Sequence, residues 1–120
     1  MEIYKVFMIE AAHRLTSVPP DHKCARLHGH SWRVELHVEG RVQADKGWVQ
    51  DFGDIKEVFQ PYYDQLDHNY LNEVEGLKNP TSENLAKWIW VRVRPKLPLL
   101  SKVVVCETCT CGCVYTGDDL

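Results

Sequence analysis

Three histidines in the first quarter of the chain have the spacing of a metal site. His28 and His30 are separated by one glycine, and His13 lies upstream of them. Three neutral imidazoles commonly hold zinc with one coordination position left open, as a catalytic metal requires. Two inward-facing imidazoles without a partner would be costly to bury, which favours a metal over an ordinary core location. Zinc is the ion expected for three nitrogen ligands.

A single cysteine, Cys24, lies in the loop just before His28. Near a zinc ion its thiol would ionise more easily and could act as a base or nucleophile. It could also complete the coordination as a fourth ligand, which would make the metal structural. The spacing alone leaves both roles open. Two further histidines, His22 in the loop and His37 on the polar side of a strand, are expected to be solvated and outside the site.

Two other groups of residues could do chemistry. Asp67 and His68 follow the predicted end of a helix. They are either a plain helix-terminus pair or a general acid–base pair. Glu107 shares the parity of Val103 and Val105, so it could face inward and would then need a partner. A carboxylate there could accept the amide–amine edge of a pterin or guanine, or it could simply face water at a sheet edge.

The remaining four cysteines crowd the C-terminal region, at positions 106, 109, 111 and 113. Their spacing is not that of a zinc knuckle, and no second pair elsewhere completes a ribbon. We therefore expect Cys106, Cys109, Cys111 and Cys113 to be small buried strand residues. Disulfides are not expected in a reducing compartment.

The strands that position the histidines are marked by alternation. A first strand is predicted from about Ile3 to His13, followed by a loop over 16–26. From His28 to Val38 the even positions are histidine or apolar, whereas the odd positions are polar or glycine. Such a pattern predicts a half-buried antiparallel strand with His28 and His30 on the apolar side. Two later strands are predicted over 101–110 and 114–116.

Two helices are predicted between these pairs of strands. The first begins near Asp54, and Pro61 is expected to kink or shorten it. The second begins at Thr81, with Thr81 or Ser82 as its cap, and ends at Pro95. The order of elements predicts an α+β domain with two helices on one face of an antiparallel sheet. The open edges of so small a sheet favour oligomerisation.

Composition limits the function classes. The chain has 120 residues, enough for a single domain over 1–120, and a formal net charge of −3. It lacks the clustered Lys and Arg of a nucleic-acid surface. No signal peptide is visible, and no apolar run approaches the roughly 20 residues of a membrane span. We therefore expect a soluble cytoplasmic protein.

Five segments together carry a family resemblance. They are EAAHRL at 10–15, CARLHGH at 24–30, LDH at 66–68, NPTSENL at 79–85 and CET at 106–108. In order and spacing the chain resembles the 6-pyruvoyltetrahydropterin synthase superfamily, especially its bacterial queuosine-pathway branch. The resemblance implies a tunnelling fold, in which sheets from several subunits close into a barrel. It also implies a homohexamer built from two trimers, with active sites at subunit interfaces.

The resemblance further implies the reaction and the residues that perform it. The branch converts 7,8-dihydroneopterin triphosphate to 6-carboxy-5,6,7,8-tetrahydropterin, acetaldehyde and triphosphate, for 7-deazaguanine and queuosine synthesis. By position, zinc would be held by His13, His28 and His30. Cys24 would accept a proton, and Asp67 would orient and polarise His68 as the acid–base pair. The pterin would be bound by Glu107, with Thr81 and Ser82 nearby.

Three points stay open at this stage. On charge alone, Lys23, Arg26 and Arg14 are candidates for binding the triphosphate. The motifs separate the lyase poorly from the sister enzyme, 6-pyruvoyltetrahydropterin synthase, which keeps the side-chain carbons and eliminates triphosphate. The third alternative is a non-enzymatic binding module, stabilised by zinc with Cys24 as its fourth ligand.

Overall fold

The computed structural model describes residues 1–119, which form a four-stranded antiparallel sheet in the order β1-β2-β3-β4. The strands are β1 (Glu2–His13), β2 (His28–Glu39), β3 (Leu100–Thr108) and β4 (Cys111–Tyr115). Two helices, α1 (Phe52–Leu66) and α2 (Ser82–Val93), lie in the connection between β2 and β3. Short 3₁₀ turns occupy Lys23–Ala25 and Leu71–Glu73. The predicted α+β architecture is confirmed.

Both helices cover the same face of the sheet. Along β2 this face carries Trp32, Val34, Leu36 and Val38, all buried, as the alternation predicted. Helix α1 packs on β1, and α2 packs on β3 and β4. The helices contribute the buried side chains of Ile55, Phe59, Leu66, Leu85, Ile89 and Val93. Burying one such side chain stabilises the fold by about 1.5–3 kcal/mol, so this shared core holds the strands in position.

The strand register brings the histidines together. His13 lies directly opposite His28, and Ala11 lies opposite His30. Paired residues on antiparallel strands point to the same face, so all three imidazoles lie on the helix-covered side. The other neighbour of β2 is β3, and there Val34 pairs with Val105. Glu107 therefore follows the ladder toward the end of β2 that carries the histidines.

Helix α1 differs from the prediction at two points. It begins at Phe52 rather than near Asp54, because the Asp51 side chain caps it by accepting from the Gly53 N–H at 2.8 Å. The expectation that Pro61 kinks or shortens the helix is wrong as to its length, since α1 continues to Leu66. Pro61 and Glu57 are both exposed, so water can satisfy the carbonyl that loses its N–H donor.

Helix α2 has the predicted cap. The Thr81 hydroxyl accepts from the Asn84 backbone N–H at 3.1 Å. The buried face of the helix includes Trp90, which packs edge-on against Tyr115 at 5.7 Å between ring centroids. The C-terminal strand thus closes over α2.

The expectation that the four late cysteines are small buried strand residues is wrong as to burial, although Cys106, Cys111 and Cys113 do lie in β3 and β4. Cys109 and Cys111 are exposed, and Cys106 and Cys113 are half-buried. The reason is the hairpin: Cys109 lies in the turn between β3 and β4, Cys111 begins β4 beside that turn, and β4 is an edge strand.

The expectation that His37 is solvated is wrong, because its side chain is half-buried. Its Nδ1 lies 3.2 Å from Glu2 and its Nε2 lies 2.8 Å from Glu35, while Tyr4 stacks on the ring at 5.0 Å. His22 is exposed, as predicted, and its side chain accepts from the Cys24 N–H. The neighbours of His37 on β1 and β2 create a half-buried polar network on the open face of the sheet.

No helix within residues 1–119 is long and apolar enough to cross a membrane.

Candidate functional site

The three histidines converge at one end of the sheet. His13 ends β1 and is fully buried, whereas His28 and His30 open β2 and are half-buried. The Nε2 atoms of His13 and His28 are 2.9 Å apart. The ring of His30 lies 5.1 Å from that of His13 and 4.8 Å from that of His28, between centroids. The predicted convergence is confirmed.

Backbone carbonyls determine which nitrogen of two rings carries the proton. His13 Nδ1 donates to the Pro80 carbonyl at 2.7 Å, and His28 Nδ1 donates to the Arg26 carbonyl at 2.7 Å. In neutral imidazoles both Nε2 atoms are then acceptors, and their lone pairs face each other across 2.9 Å. Such a contact is repulsive unless a cation lies between the two nitrogens. Imidazoles oriented by carbonyls in this way are typical of metal ligands.

Glu107 completes a four-residue cluster. Its Oε1 lies 3.1 Å from His13 Nε2 and 3.2 Å from His30 Nε2. One donor atom from each of His13, His28, His30 and Glu107 lies within 4.8 Å of the others. His30 Nε2 is buried yet makes no hydrogen bond of good geometry among the described residues. This nitrogen-and-carboxylate set fits a divalent metal ion.

The electrostatics of the cluster favour the metal-binding form of the imidazoles. Burial lowers the pKa of His13, while its hydrogen bond to Pro80 and the Glu107 carboxylate oppose that shift. Burial also lowers the pKa of His30, again against the effect of Glu107. Neutral imidazole is the form that binds metal, so these rings are prepared for coordination at neutral pH.

Cys24 lies beside the cluster in the 3₁₀ turn. Its carbonyl accepts from the Leu15 N–H at 2.7 Å, and its N–H donates to His22 Nδ1 at 3.0 Å. The thiol is half-buried. A cavity of about 370 Å³ is lined by Lys23, Cys24, His28, His30, Glu107 and Thr108. Within residues 1–119 the metal-type cluster does not include Cys24, which leaves the thiol available to a ligand in the cavity.

The Asp67–His68 pair is held on the free edge of β1. Asp67 Oδ2 accepts from His68 Nδ1 at 2.8 Å, and Asp67 Oδ1 accepts from the Glu10 N–H at 2.9 Å. The His68 N–H donates to the Glu10 carbonyl at 2.6 Å. Burial opposes ionisation of Asp67, but the bonds from Glu10 and His68 outweigh it and lower the pKa of that carboxyl.

His68 itself is aimed away from the fold. It has a φ of 59°, which is uncommon for a residue other than glycine, and its side chain is 79% exposed. It lines a groove of about 550 Å³ together with Glu10, Ser31 and His30, so this groove borders the histidine cluster. Throughout the described chain, no hydrogen bond or ion pair joins the Asp67–His68 pair to the histidine cluster or to Cys24. Cys24 and His68 thus line two different cavities of one chain, and His30 borders both of them.

Thr81 and Ser82 directly follow Pro80 in the sequence, and the Pro80 carbonyl accepts a hydrogen bond from His13. They therefore lie near the cluster. Both side chains are half-buried. The Thr81 hydroxyl is already engaged as the cap of α2. The N-terminus of α2 thus supports the cluster, and Ser82 has the less committed hydroxyl of the two.

Three features of the site were not predicted. The Pro80 and Arg26 carbonyls orient His13 and His28, and backbone groups leave no signature in a sequence. Trp32 packs edge-on against His13 and His30, at 4.9 Å and 5.4 Å between ring centroids. Trp32 shares the parity of the two β2 histidines, and that signal could have identified it.

Comparisons with known proteins agree on one family. Residues 2–118 match the family described as "6-pyruvoyl tetrahydropterin synthase". A Synechocystis protein named 6-carboxy-5,6,7,8-tetrahydropterin synthase is 42% identical over 121 residues, covering 94% of this chain and 91% of that protein. A Pyrococcus furiosus protein named dihydroneopterin monophosphate aldolase is 44% identical over 72 residues, 60% of each chain. The solved structure of Caenorhabditis elegans 6-pyruvoyl tetrahydropterin synthase superposes with a TM-score of 0.91 at 28% identity, covering 98% of this chain and 96% of that one.

Proposed function

The chain belongs to the 6-pyruvoyl tetrahydropterin synthase family, and on that premise we propose that it converts 7,8-dihydroneopterin triphosphate to 6-carboxy-5,6,7,8-tetrahydropterin, acetaldehyde and triphosphate. The Synechocystis relative bears the name of this activity. The observation that carries the proposal is the cavity in which Cys24 meets His28, His30 and Glu107. The product would feed 7-deazaguanine synthesis, and through it queuosine.

We assign the metal to the three histidines. The facing Nε2 atoms of His13 and His28, and the unbonded Nε2 of His30, support this assignment. A zinc ion there would supply a Lewis acid that makes the side-chain hydroxyls of the substrate more acidic. His13 and His28 are kept in the required tautomer by the carbonyls of Pro80 and Arg26.

Glu107 is assigned to the pterin ring. Its carboxylate borders both the cavity beside Cys24 and a larger one of about 680 Å³ that also contains Met8, Ser31 and Arg33. A carboxylate can accept two parallel N–H donors from one ligand edge, which suits the amide–amine edge of a pterin. Thr81 and Ser82, next to the histidine cluster, would contact the same ring.

Proton transfer is assigned to Cys24 and His68. The Cys24 thiolate would accept a proton from the substrate side chain, whose carbon–carbon bond then breaks in a retro-aldol-type step. Asp67 holds Nδ1–H of His68, so Nε2 is the atom that exchanges protons. Because His68 lies apart from Cys24 in one chain, the proposal includes a homohexamer of two trimers, in which neighbouring subunits complete each site.

A second candidate is the sister reaction, formation of 6-pyruvoyltetrahydropterin without carbon–carbon cleavage. The fold similarity to the C. elegans synthase favours it. The greater sequence identity to the Synechocystis relative favours the lyase. The non-enzymatic module, with Cys24 as the fourth ligand, agrees poorly with a metal-type cluster that, within residues 1–119, does not include Cys24.

One assay separates these functions. Zinc-loaded protein is incubated with 7,8-dihydroneopterin triphosphate, and products are followed by mass and by acetaldehyde release. Carboxytetrahydropterin with acetaldehyde supports the lyase, and pyruvoyltetrahydropterin without acetaldehyde supports the sister enzyme. Cys24→Ala should keep its zinc and lose most of the activity. Loss of zinc in that variant would contradict the role given to Cys24.

A further inference from the structure

The cavity beside Cys24 contains one permanently charged cation. Among its lining residues, Glu107 offers a carboxylate, and His28 and His30 are the proposed metal ligands. Lys23 alone supplies a fixed positive charge. Beside the proposed metal, Lys23 is therefore the lining residue that can offset the Glu107 carboxylate when an anionic group enters the cavity.

The backbone that carries Lys23 is held in place. The Lys23 carbonyl accepts from the Arg26 N–H at 3.3 Å, and the next residue, Cys24, is bound by Leu15 at 2.7 Å and by His22 at 3.0 Å. The turn is therefore tied to the end of β1 and cannot move freely relative to the histidines. A cation on such a turn is already located where a ligand would need it.

Lys23 is also available for a ligand. Across residues 1–119 it forms no salt bridge, whereas Lys87 pairs with Asp119 at 2.7 Å and Lys102 pairs with Glu2 at 3.1 Å. The sequence offered Arg14 and Arg26 as equal candidates for binding phosphate. Neither arginine lines the cavity, so the structure favours Lys23 over Arg14 and Arg26 as the phosphate-binding residue.

We propose that Lys23 binds the phosphate groups of the substrate and makes the site selective for a phosphorylated pterin over the uncharged alcohol. The ammonium group would donate hydrogen bonds to phosphate oxygens at the mouth of the cavity. This inference rests on the proposed function for the pterin, and the position of Lys23 adds the discrimination between charged and uncharged forms.

The test compares two fluorescent probes, neopterin triphosphate and neopterin, on zinc-loaded full-length protein. Lys23→Gln should weaken binding of the triphosphate roughly 10–100-fold, the loss expected for a charge-assisted hydrogen bond, and leave neopterin within about twofold. Lys23→Arg should restore most of the triphosphate affinity. Arg14→Gln, on a cation that does not line the cavity, is the matched control and should bind both probes as the wild type does.

Each contrary result has a separate meaning. An equal loss for both probes in Lys23→Gln would give Lys23 a merely structural role and overturn the inference. Unchanged binding in Lys23→Gln would also overturn it, and so would a selective loss of triphosphate binding in Arg14→Gln. If wild-type protein binds neither probe, the proposed pterin function is contradicted, and the role of Lys23 that depends on it is contradicted as well. Because binding is measured without turnover, these failures remain distinguishable.

Discussion

Replacing His30 with glutamine should separate metal binding from folding. His30 Nε2 lies 3.2 Å from Glu107 Oε1 but makes no hydrogen bond of good geometry among the described residues, so its removal breaks no hydrogen bond of the metal-free fold. His13 is different, because its Nδ1 binds the Pro80 carbonyl at 2.7 Å inside the core. Losing that bond leaves a buried acceptor unsatisfied and costs about 1–3 kcal/mol.

The expected magnitudes follow from linkage. Metal present at a hundredfold excess over its Kd stabilises the wild-type fold by about 2.7 kcal/mol. For a chain of this size that corresponds to a rise in Tm of roughly 8–13 °C. His30→Gln should lose most of this rise in Tm. Its metal-free Tm should stay within about 2 °C of wild type, because a substitution that breaks no hydrogen bond should change the free energy of unfolding by less than about 0.5 kcal/mol.

The measurement is thermal unfolding of chelator-treated protein with and without added zinc. His13→Gln should lose the zinc-dependent rise and also show a lower metal-free Tm. His68→Gln, on an exposed histidine outside the cluster, is the matched control and should keep the full rise. If His30→Gln keeps the rise, or if its metal-free Tm falls as far as that of His13→Gln, the assignment of His30 as a ligand without a structural bond is refuted.

Three further predictions concern the fold. Thr81→Ala should lower the free energy of unfolding in urea by about 1 kcal/mol through loss of the α2 cap, whereas Ser82→Ala should change it little. Phe59→Ala should cost about 3–5 kcal/mol in the same assay because its ring is fully buried, whereas Phe52→Ala, on a half-exposed ring, should cost far less. Burial opposes ionisation of Glu35, but bonds from His37 and Arg33 outweigh it and lower its pKa, so its stabilising contribution is present at neutral pH and lost as pH falls through the folded-state pKa. Glu35→Gln should therefore flatten the acid limb of a stability–pH curve measured by urea unfolding, and an unaltered limb would contradict this.

Much of the fold could be predicted because its signals are local. Strict alternation over 28–38 determines which side of β2 faces the core, since side chains on a strand repeat every two residues. The Thr81 cap could also be predicted, because its hydrogen bond spans only three residues. The start of α1 was missed by two residues because Asp51, not a later residue, supplies the cap. The outcome at Pro61 depends on solvent exposure, which no local pattern reports.

The site divides in the same way. The sequence alone determined that His28 and His30 face inward and that Cys24 lies near them, because one strand and one adjacent loop carry these residues. Only the tertiary structure decided that Pro80 orients His13 and that Lys23 rather than Arg14 borders the cavity. It also decided that His68 and Cys24 line different cavities of one chain. The His13–Pro80 bond joins residues 67 positions apart. Contacts at such separations depend on how the sheet and helices pack, and chain-local periodicity carries no information about that packing.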